Sequence, residues 1–159
     1  MKYLCTLAIL LFMTTLQAQE TTTLYLIRHA EKADATKDTE LSEAGKVRAK
    51  KWRAFFSDRN ISAIYATPYK RTIATVTPLA EKLGLNINSY NPSQLDLKSV
   101  AEMHRGKSVL IVGHSNTLPS HVNKLLNENK YAEIDESEFG TLYIVTVKGD
   151  IVTHSVEIL

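Results

Sequence analysis

Leu24-Tyr25-Leu26-Ile27-Arg28-His29-Ala30-Glu31 is the stretch whose reading decides the fold. Four apolar residues in a row read as a strand buried on both faces, and the polar residues behind them mark where that strand gives way to a loop. Two further runs repeat the arrangement. Ala63-Ile64-Tyr65-Ala66-Thr67 is followed by a helical segment that opens near Arg71, and Val109-Leu110-Ile111-Val112-Gly113 runs into His114. In open α/β sheets, ligands bind outside the carboxyl ends of the strands. Three strand ends would thus bring two imidazoles, His29 and His114, to the same place as two guanidiniums, Arg28 and Arg71. That set suits phosphoryl chemistry. A guanidinium keeps its charge and grips phosphate oxygens with a fixed fork, and a neutral imidazole can attack phosphorus and carry the group covalently.

The segments between the runs are helical in pattern. Ser42 is a plausible N-cap, and Val47, Trp52, Phe55 and Phe56 then recur at helical spacing, which predicts a helix over 43–57. A second helix is predicted over 69–83, with Ile73, Val76, Leu79, Ala80 and Leu83 on its apolar face, a kink at Pro78 and a stop at Gly84. A short strand over 86–90 and a weak helix over 97–105, closed by Gly106, precede the strand over 108–114. Leu118, Val122, Leu125 and Leu126 mark a last helix, with Pro119 tolerated in its first turn. Residues 141–147 and 151–158 flank Lys148-Gly149-Asp150 as a hairpin, and 32–40 is polar loop. Strands alternating with helices predict a three-layer α/β/α sandwich. Its sheet is mostly parallel, with an antiparallel edge from the C-terminal hairpin.

Composition bounds the rest. The 159 residues suffice for one core, and 44% hydrophobic with 23% charged residues excludes a disordered chain. A net charge of +2 with scattered Lys and Arg excludes a nucleic-acid surface. Residues 1–19 read as a secretory signal peptide: Lys2, an apolar core over 4–16, then Leu16-Gln17-Ala18 before the cleavage point. The core is short for a membrane span; an uncleaved anchor is the alternative. The expectation is an exported protein, periplasmic or secreted, with residues 20–159 as its single domain and no membrane contact after cleavage. Cys5, the one cysteine, lies in the leader, so the mature part can form no disulfide. Without Lys2 it carries 18 basic against 17 acidic residues and is near neutral.

Arg28-His29-Ala30-Glu31, Leu41-Ser42-Glu43-Ala44-Gly45, Tyr65-Ala66-Thr67-Pro68-Tyr69-Lys70-Arg71-Thr72 and Val112-Gly113-His114-Ser115 together resemble the histidine phosphatase superfamily, the phosphoglycerate mutase-like proteins, over about residues 22–127. Ala30 stands where the family's Arg-His-Gly motif has glycine, a change that a negative φ tolerates. The small branch without extra lid segments, that of the phosphohistidine phosphatases, is the nearest in kind. The resemblance implies that His29 becomes phosphohistidine, that Arg28 and Arg71 clamp the phosphoryl oxygens and that His114 is a further phosphate ligand. Ser115 and Asn116, at a helix start, are read from position as added anion ligands.

Taken singly, each of these residues has a structural reading: a surface ion pair for Arg28 or Arg71, a locally bonded imidazole for His29 or His114. Their convergence favours the site. His104, His121 and His154 are read as exposed or locally bonded. Zinc is disfavoured, because guanidiniums repel a cation and cannot ligate it; no metal and no cofactor is expected. For the proton donor the family's usual Glu after the third strand is absent. Asp96 and Glu31 remain as candidates, beside the absence of any dedicated acid. Asp96 has the alternative of capping the helix at Leu97, and Glu31 that of orienting Arg28. The expected function is an exported phosphatase acting on phosphomonoesters or phosphoramidates, either small molecules or an exposed phosphate on a larger one. A phosphate-binding protein with little turnover is the alternative, and a mutase fits poorly for want of enclosing loops. The oligomeric state is not legible.

Overall fold

A computed structural model describes residues 20–159; the expected leader lies outside the described residues. The elements run β1 (Thr22–Arg28), α1 (Glu43–Phe56), β2 (Ile61–Ala66), α2 (Lys70–Leu83), β3 (Ile87–Ser89), a 3-10 turn (Pro92–Gln94), α3 (Leu97–Met103), β4 (Ser108–Gly113), α4 (Thr117–Leu126), β5 (Thr141–Lys148) and β6 (Ile151–Ile158). The sheet order is β3-β2-β4-β1-β5-β6. β3, β2, β4 and β1 are parallel, and β5 and β6 add the antiparallel edge. This is the expected sandwich. No helix among the described residues is long and apolar enough to cross a membrane.

Alternation along the strands divides the core in two. Leu24, Leu26, Val109 and Ile111 face α3 and α4, while Ile27, Ile64, Leu110 and Val112 face α1 and α2. Ser42 caps α1 by accepting from the Gly45 N–H at 3.1 Å. The buried stripe of α1 is Gly45, Ala49, Trp52 and Phe56, one face of a 3.6-residue period. Val47, expected on that stripe, is 54% exposed. Gly45 brings α1 against the loop after β1: a Cβ there would collide with the Glu31 carbonyl oxygen.

α2 differs from expectation in a way that bears on the site. Ile73 is 41% exposed, and Thr72 and Thr75 are buried in its place. Hydroxyls win the buried positions here because each is bonded. Thr72 Oγ1 reaches the carbonyls of Thr67 and Tyr69, and Thr75 Oγ1 donates to the Arg71 carbonyl while accepting from the Ala30 N–H. The first turn of α2 is thus a polar shelf under the ends of β1 and β2. The helix continues through Pro78 and ends at Gly84, whose φ of 65° is the left-handed cap conformation.

Candidate active site

Pairing in register aligns the strand ends. Arg28 lies opposite Gly113 and Ala66 opposite Val112, so Arg28, His29, Thr67 and His114 emerge at one edge of the sheet. The His29 N–H still bonds the Gly113 carbonyl at 3.0 Å, which holds it in line with the sheet. An open cleft of about 450 Å3 lies over this edge, lined by Arg28, His29, Arg71, His114, Ser115 and Asn116, with Lys32, Tyr69, Pro92, Thr117, Glu133 and Glu136 around them.

His29 is 4% exposed. Its Nδ1 lies 2.8 Å from the Ala30 carbonyl, which can only accept, so Nδ1 carries the proton and Nε2 keeps its lone pair. Burial lowers its pKa to about 4, against the pull of the Ala30 carbonyl, and His114, Arg71 and Arg28 add to the lowering. At neutral pH His29 is an unprotonated imidazole with a fixed tautomer, the state a nucleophile needs. Ala30 is not among the residues with positive φ, so its methyl group fits where the related motif has glycine. Its side chain is fully buried against Leu41 and Ala49.

His114 packs edge-on to His29, with ring centroids 5.4 Å apart. Its Nε2 meets Thr67 Oγ1 at 2.9 Å, and its Nδ1 lies 3.5 Å from Arg71 Nη2. A guanidinium can only donate, so the tautomer that fits places the proton on Nε2 and leaves Nδ1 open to the cleft-side cation. Burial again lowers the pKa to about 4, with Arg71 and Arg28 contributing and Glu136 opposing.

Arg28 is 1% exposed. Its Nη1 donates to the Asp135 and Glu138 carbonyls at 2.9 and 2.8 Å, and its Nη2 to Glu136 Oε2 at 2.7 Å. Its guanidinium lies 4.2 Å from the Phe139 ring centroid. Arg71 donates from Nη1 to the Lys37 carbonyl at 2.8 Å and lies over the Tyr69 ring. The Nε atoms of both arginines are buried and have no partner among the described residues. Each is an unmade buried hydrogen bond that costs the site about 1–3 kcal/mol. Among the described residues no three His, Cys, Asp or Glu side chains converge as a metal site.

The two expected proton donors are elsewhere. Glu31 forms a forked pair with Arg48, with contacts of 2.8 to 3.0 Å, and does not line the cleft. Burial raises its pKa, but the Arg48 bonds outweigh this and hold it below the usual carboxylate value. It also does not orient Arg28. Asp96 sits at the N-cap position of α3 without a side-chain cap bond to the backbone; its carboxylate instead accepts from Ser99 Oγ at 2.7 Å. The carboxylates that do line the cleft are Glu133 and Glu136. Glu136 bridges Arg28 and Ser115, accepting from Ser115 Oγ at 2.5 Å, although its side chain is 74% exposed. That bond, with Arg28 behind it, lowers its pKa. Ser115 therefore points at Glu136 rather than standing free, and α4 begins at Thr117, with Asn116 at its N-cap position.

The histidine pair makes stability depend on pH. Both folded values, about 4, lie below the unfolded 6.5, so between these limits the unfolded chain binds protons that the folded chain refuses. Stability is complete above about pH 6.5 and is expected to fall as pH drops towards 4. For the buried His29 the loss is on the order of 3 kcal/mol. Urea midpoints across this window should drop more steeply for wild type than for His29→Asn; parallel profiles would show that His29 is not held neutral.

The sequence profile of the histidine phosphatase superfamily (branch 1) matches residues 24–91. No curated protein sequence matches the chain. Among solved structures, YhfR of Bacillus stearothermophilus superposes with a TM-score of 0.71 at 18% identity, covering 86% of this chain and 96% of its own. SixA of Agrobacterium tumefaciens, a proposed phosphohistidine phosphatase, gives 0.63 at 18%, covering 86% and 98%. A mycobacterial glucosyl-3-phosphoglycerate phosphatase gives 0.65 at 14%, covering 87% and 98%. At these identities the structural likeness is one of fold, and the fold is the one the motifs imply. The profile spans β1 with the Arg28-His29 pair and the start of α2 with Arg71, so over these residues the chain is similar to the histidine phosphatase superfamily.

Proposed function

We propose that the protein is an exported, metal-independent phosphatase that hydrolyses phosphomonoesters or phosphoramidates through a phosphohistidine at His29. The observation that carries this reading is the free Nε2 of a neutral, oriented His29 in one cleft with Arg28, Arg71 and His114. In the first step Nε2 attacks phosphorus and the bond to the leaving oxygen or nitrogen breaks. Arg28 and Arg71 neutralise the phosphoryl oxygens, and His114, which contacts Arg71 through Nδ1, helps to hold them in line. Ser115 and Asn116 add donors at the rim. In the second step water attacks phosphorus, phosphate leaves and Nε2 regains its lone pair.

Glu136 is the proton donor in this reading. Its two partners, Ser115 and Arg28, are also ligands for the incoming phosphoryl group. When the phosphoryl group takes them over, the carboxylate loses the contacts that keep it ionised and meets new negative charge, and both changes push its pKa up. The same bridge supports the second reading, a phosphate-binding protein with little turnover, because Glu136 competes with substrate for Arg28.

Trapping the intermediate tests the proposal. Brief incubation with a labelled aryl phosphate and an alkaline quench should leave label on the peptide that contains His29. Label elsewhere, or turnover with no labelled peptide under saturating substrate, would remove the phosphohistidine step. Activity should survive EDTA within about twofold; loss in EDTA and recovery with zinc or magnesium would overturn the metal-independent mechanism. Export predicts that protein recovered outside the cytoplasm begins near Glu20. A full-length species, Met1 included, in the soluble cytoplasmic fraction would contradict it.

A further inference from the structure

Residues 127–140 join α4 to β5 without helix or strand, and they carry Glu133 and Glu136 to the cleft. A segment with no ladder must find partners for its backbone elsewhere. The first half of this one finds them on a single side chain, Asn123, near the end of α4. Asn123 Oδ1 accepts from the Lys130 N–H at 3.1 Å and from the Tyr131 N–H at 2.8 Å, and Nδ2 donates to the Tyr131 carbonyl at 2.8 Å. The amide thus meets both backbone groups of Tyr131, as a paired residue in an antiparallel ladder would. The Asn123 carbonyl also takes the Glu128 N–H at 3.1 Å.

Tyr131 is fixed in turn by the sheet. Its hydroxyl lies 2.6 Å from His154 Nδ1 in β6, and its ring packs edge-on to Tyr143 in β5 with centroids 5.0 Å apart. The chain then runs back to the start of α4, where the Ile134 N–H donates to the Ser115 carbonyl at 3.0 Å and the Ile134 side chain enters the core. Two residues further on, Glu136 accepts from Ser115 Oγ and Arg28 Nη2. The segment is therefore tied to α4 far from the site, by Asn123, and again beside it, by Ser115.

The Glu136 side chain is 74% exposed, so packing does not place its carboxylate. In the proposed mechanism the phosphoryl group takes over Ser115 and Arg28, and Glu136 then loses both of its own bonds. What keeps its carboxyl beside the leaving group is the backbone that carries it. Of the contacts that hold that backbone, those of Asn123 lie outside the cleft, where no substrate group reaches them. We infer that Asn123 is a positioning residue for the proton donor: through Tyr131 it sets where Glu136 stands once substrate has displaced it. The inference rests on the reading of Glu136 as that donor.

The test compares alkyl and aryl phosphate turnover in Asn123→Ala, Glu136→Gln and the double variant. Asn123→Ala should lower the alkyl-to-aryl ratio of kcat by about 10-fold or more, part of the ~10²–10⁴ that a general acid contributes. A merely structural role would lower both esters alike. In the Glu136→Gln background the same substitution should move the ratio by less than about threefold, because residues that act through one group are not additive. A ratio unmoved by Asn123→Ala, with Glu136→Gln lowering it, removes this inference and leaves the donor standing. A fall that persists in the Glu136→Gln background also removes it, since Asn123 would then act on another group. Silence of Glu136→Gln removes the donor reading and this inference with it. Where Asn123→Ala does not fold, wild type decides by hydrogen exchange: the Tyr131 amide should exchange at least about 100-fold more slowly than a free peptide amide, and exchange at the free rate shows that the clamp does not hold.

Discussion

Replacing His29 with alanine is expected to lower aryl phosphate turnover by at least about 10⁴-fold and to abolish the labelled peptide with it. Loss of a covalent nucleophile costs up to about 10⁶ in kcat in other systems, and what survives comes from the remaining binding groups. Those groups should be intact here. Arg28 is held by two carbonyls and a carboxylate, and Arg71 by the Lys37 carbonyl, none of which depends on the imidazole. Inorganic phosphate should therefore bind the variant within a few-fold of wild type. The pairing of lost turnover with retained binding separates a nucleophile from a structural residue. It also separates the two functional readings, since a binding protein would show no turnover to lose. An alanine variant that still hydrolysed the aryl ester at near wild-type rate would end the nucleophile assignment.

What placed His29 correctly was the strand pattern. A continuous apolar run has one carboxyl end, and parallel pairing in a buried sheet stacks such ends at one edge, so Arg28, His29 and His114 converge whatever the loops do. The errors fall where that logic stops. Ile73 lay on the expected apolar face of α2, but the threonines under the site take the buried positions because their hydroxyls are bonded. Val47 failed for a simpler reason: the stripe of α1 is set by Gly45 and Ala49, small residues that carry little hydropathy signal yet allow close approach. Glu133 and Glu136 come from residues 127–140, between α4 and β5, a segment with no period to read. Its path is set by tertiary contacts, the Ile134 N–H on the Ser115 carbonyl and Arg28 on the Asp135 and Glu138 carbonyls. A signal was present nonetheless. Loops of about 12–15 residues or more are uncommon inside compact domains and are often functional, and this one holds Glu128, Glu133, Asp135, Glu136 and Glu138.

The second large effect is expected at Glu136. Glu136→Gln should slow alkyl phosphate hydrolysis by about 10²–10⁴-fold, the usual contribution of a general acid. Aryl phosphates, whose leaving groups need little protonation, should lose less than about 10-fold. The amide keeps a hydrogen bond to Ser115 but cannot deliver a proton, so the difference between the two ester classes isolates proton donation from geometry. Three other patterns have distinct meanings. Equal losses on both classes would make Glu136 a residue that orients Arg28, consistent with their 2.7 Å contact. A lower KM on both, with kcat unchanged, would make it a competitor for the phosphate site. No change on either would return the leaving-group step to Glu133, the other carboxylate at the cleft, or to no acid at all. In the acid-free case wild type itself would show rates falling steeply with leaving-group pKa. Glu31→Gln and Asp96→Asn serve as controls. Their carboxylates are engaged by Arg48 and by Ser99, away from the cleft, so neither should change the ratio of alkyl to aryl turnover. Any cost at Asp96 should appear as stability, through its bond to Ser99. A selective alkyl loss in either control, with Glu136→Gln silent, would restore the donor expected from sequence and overturn the assignment made from geometry.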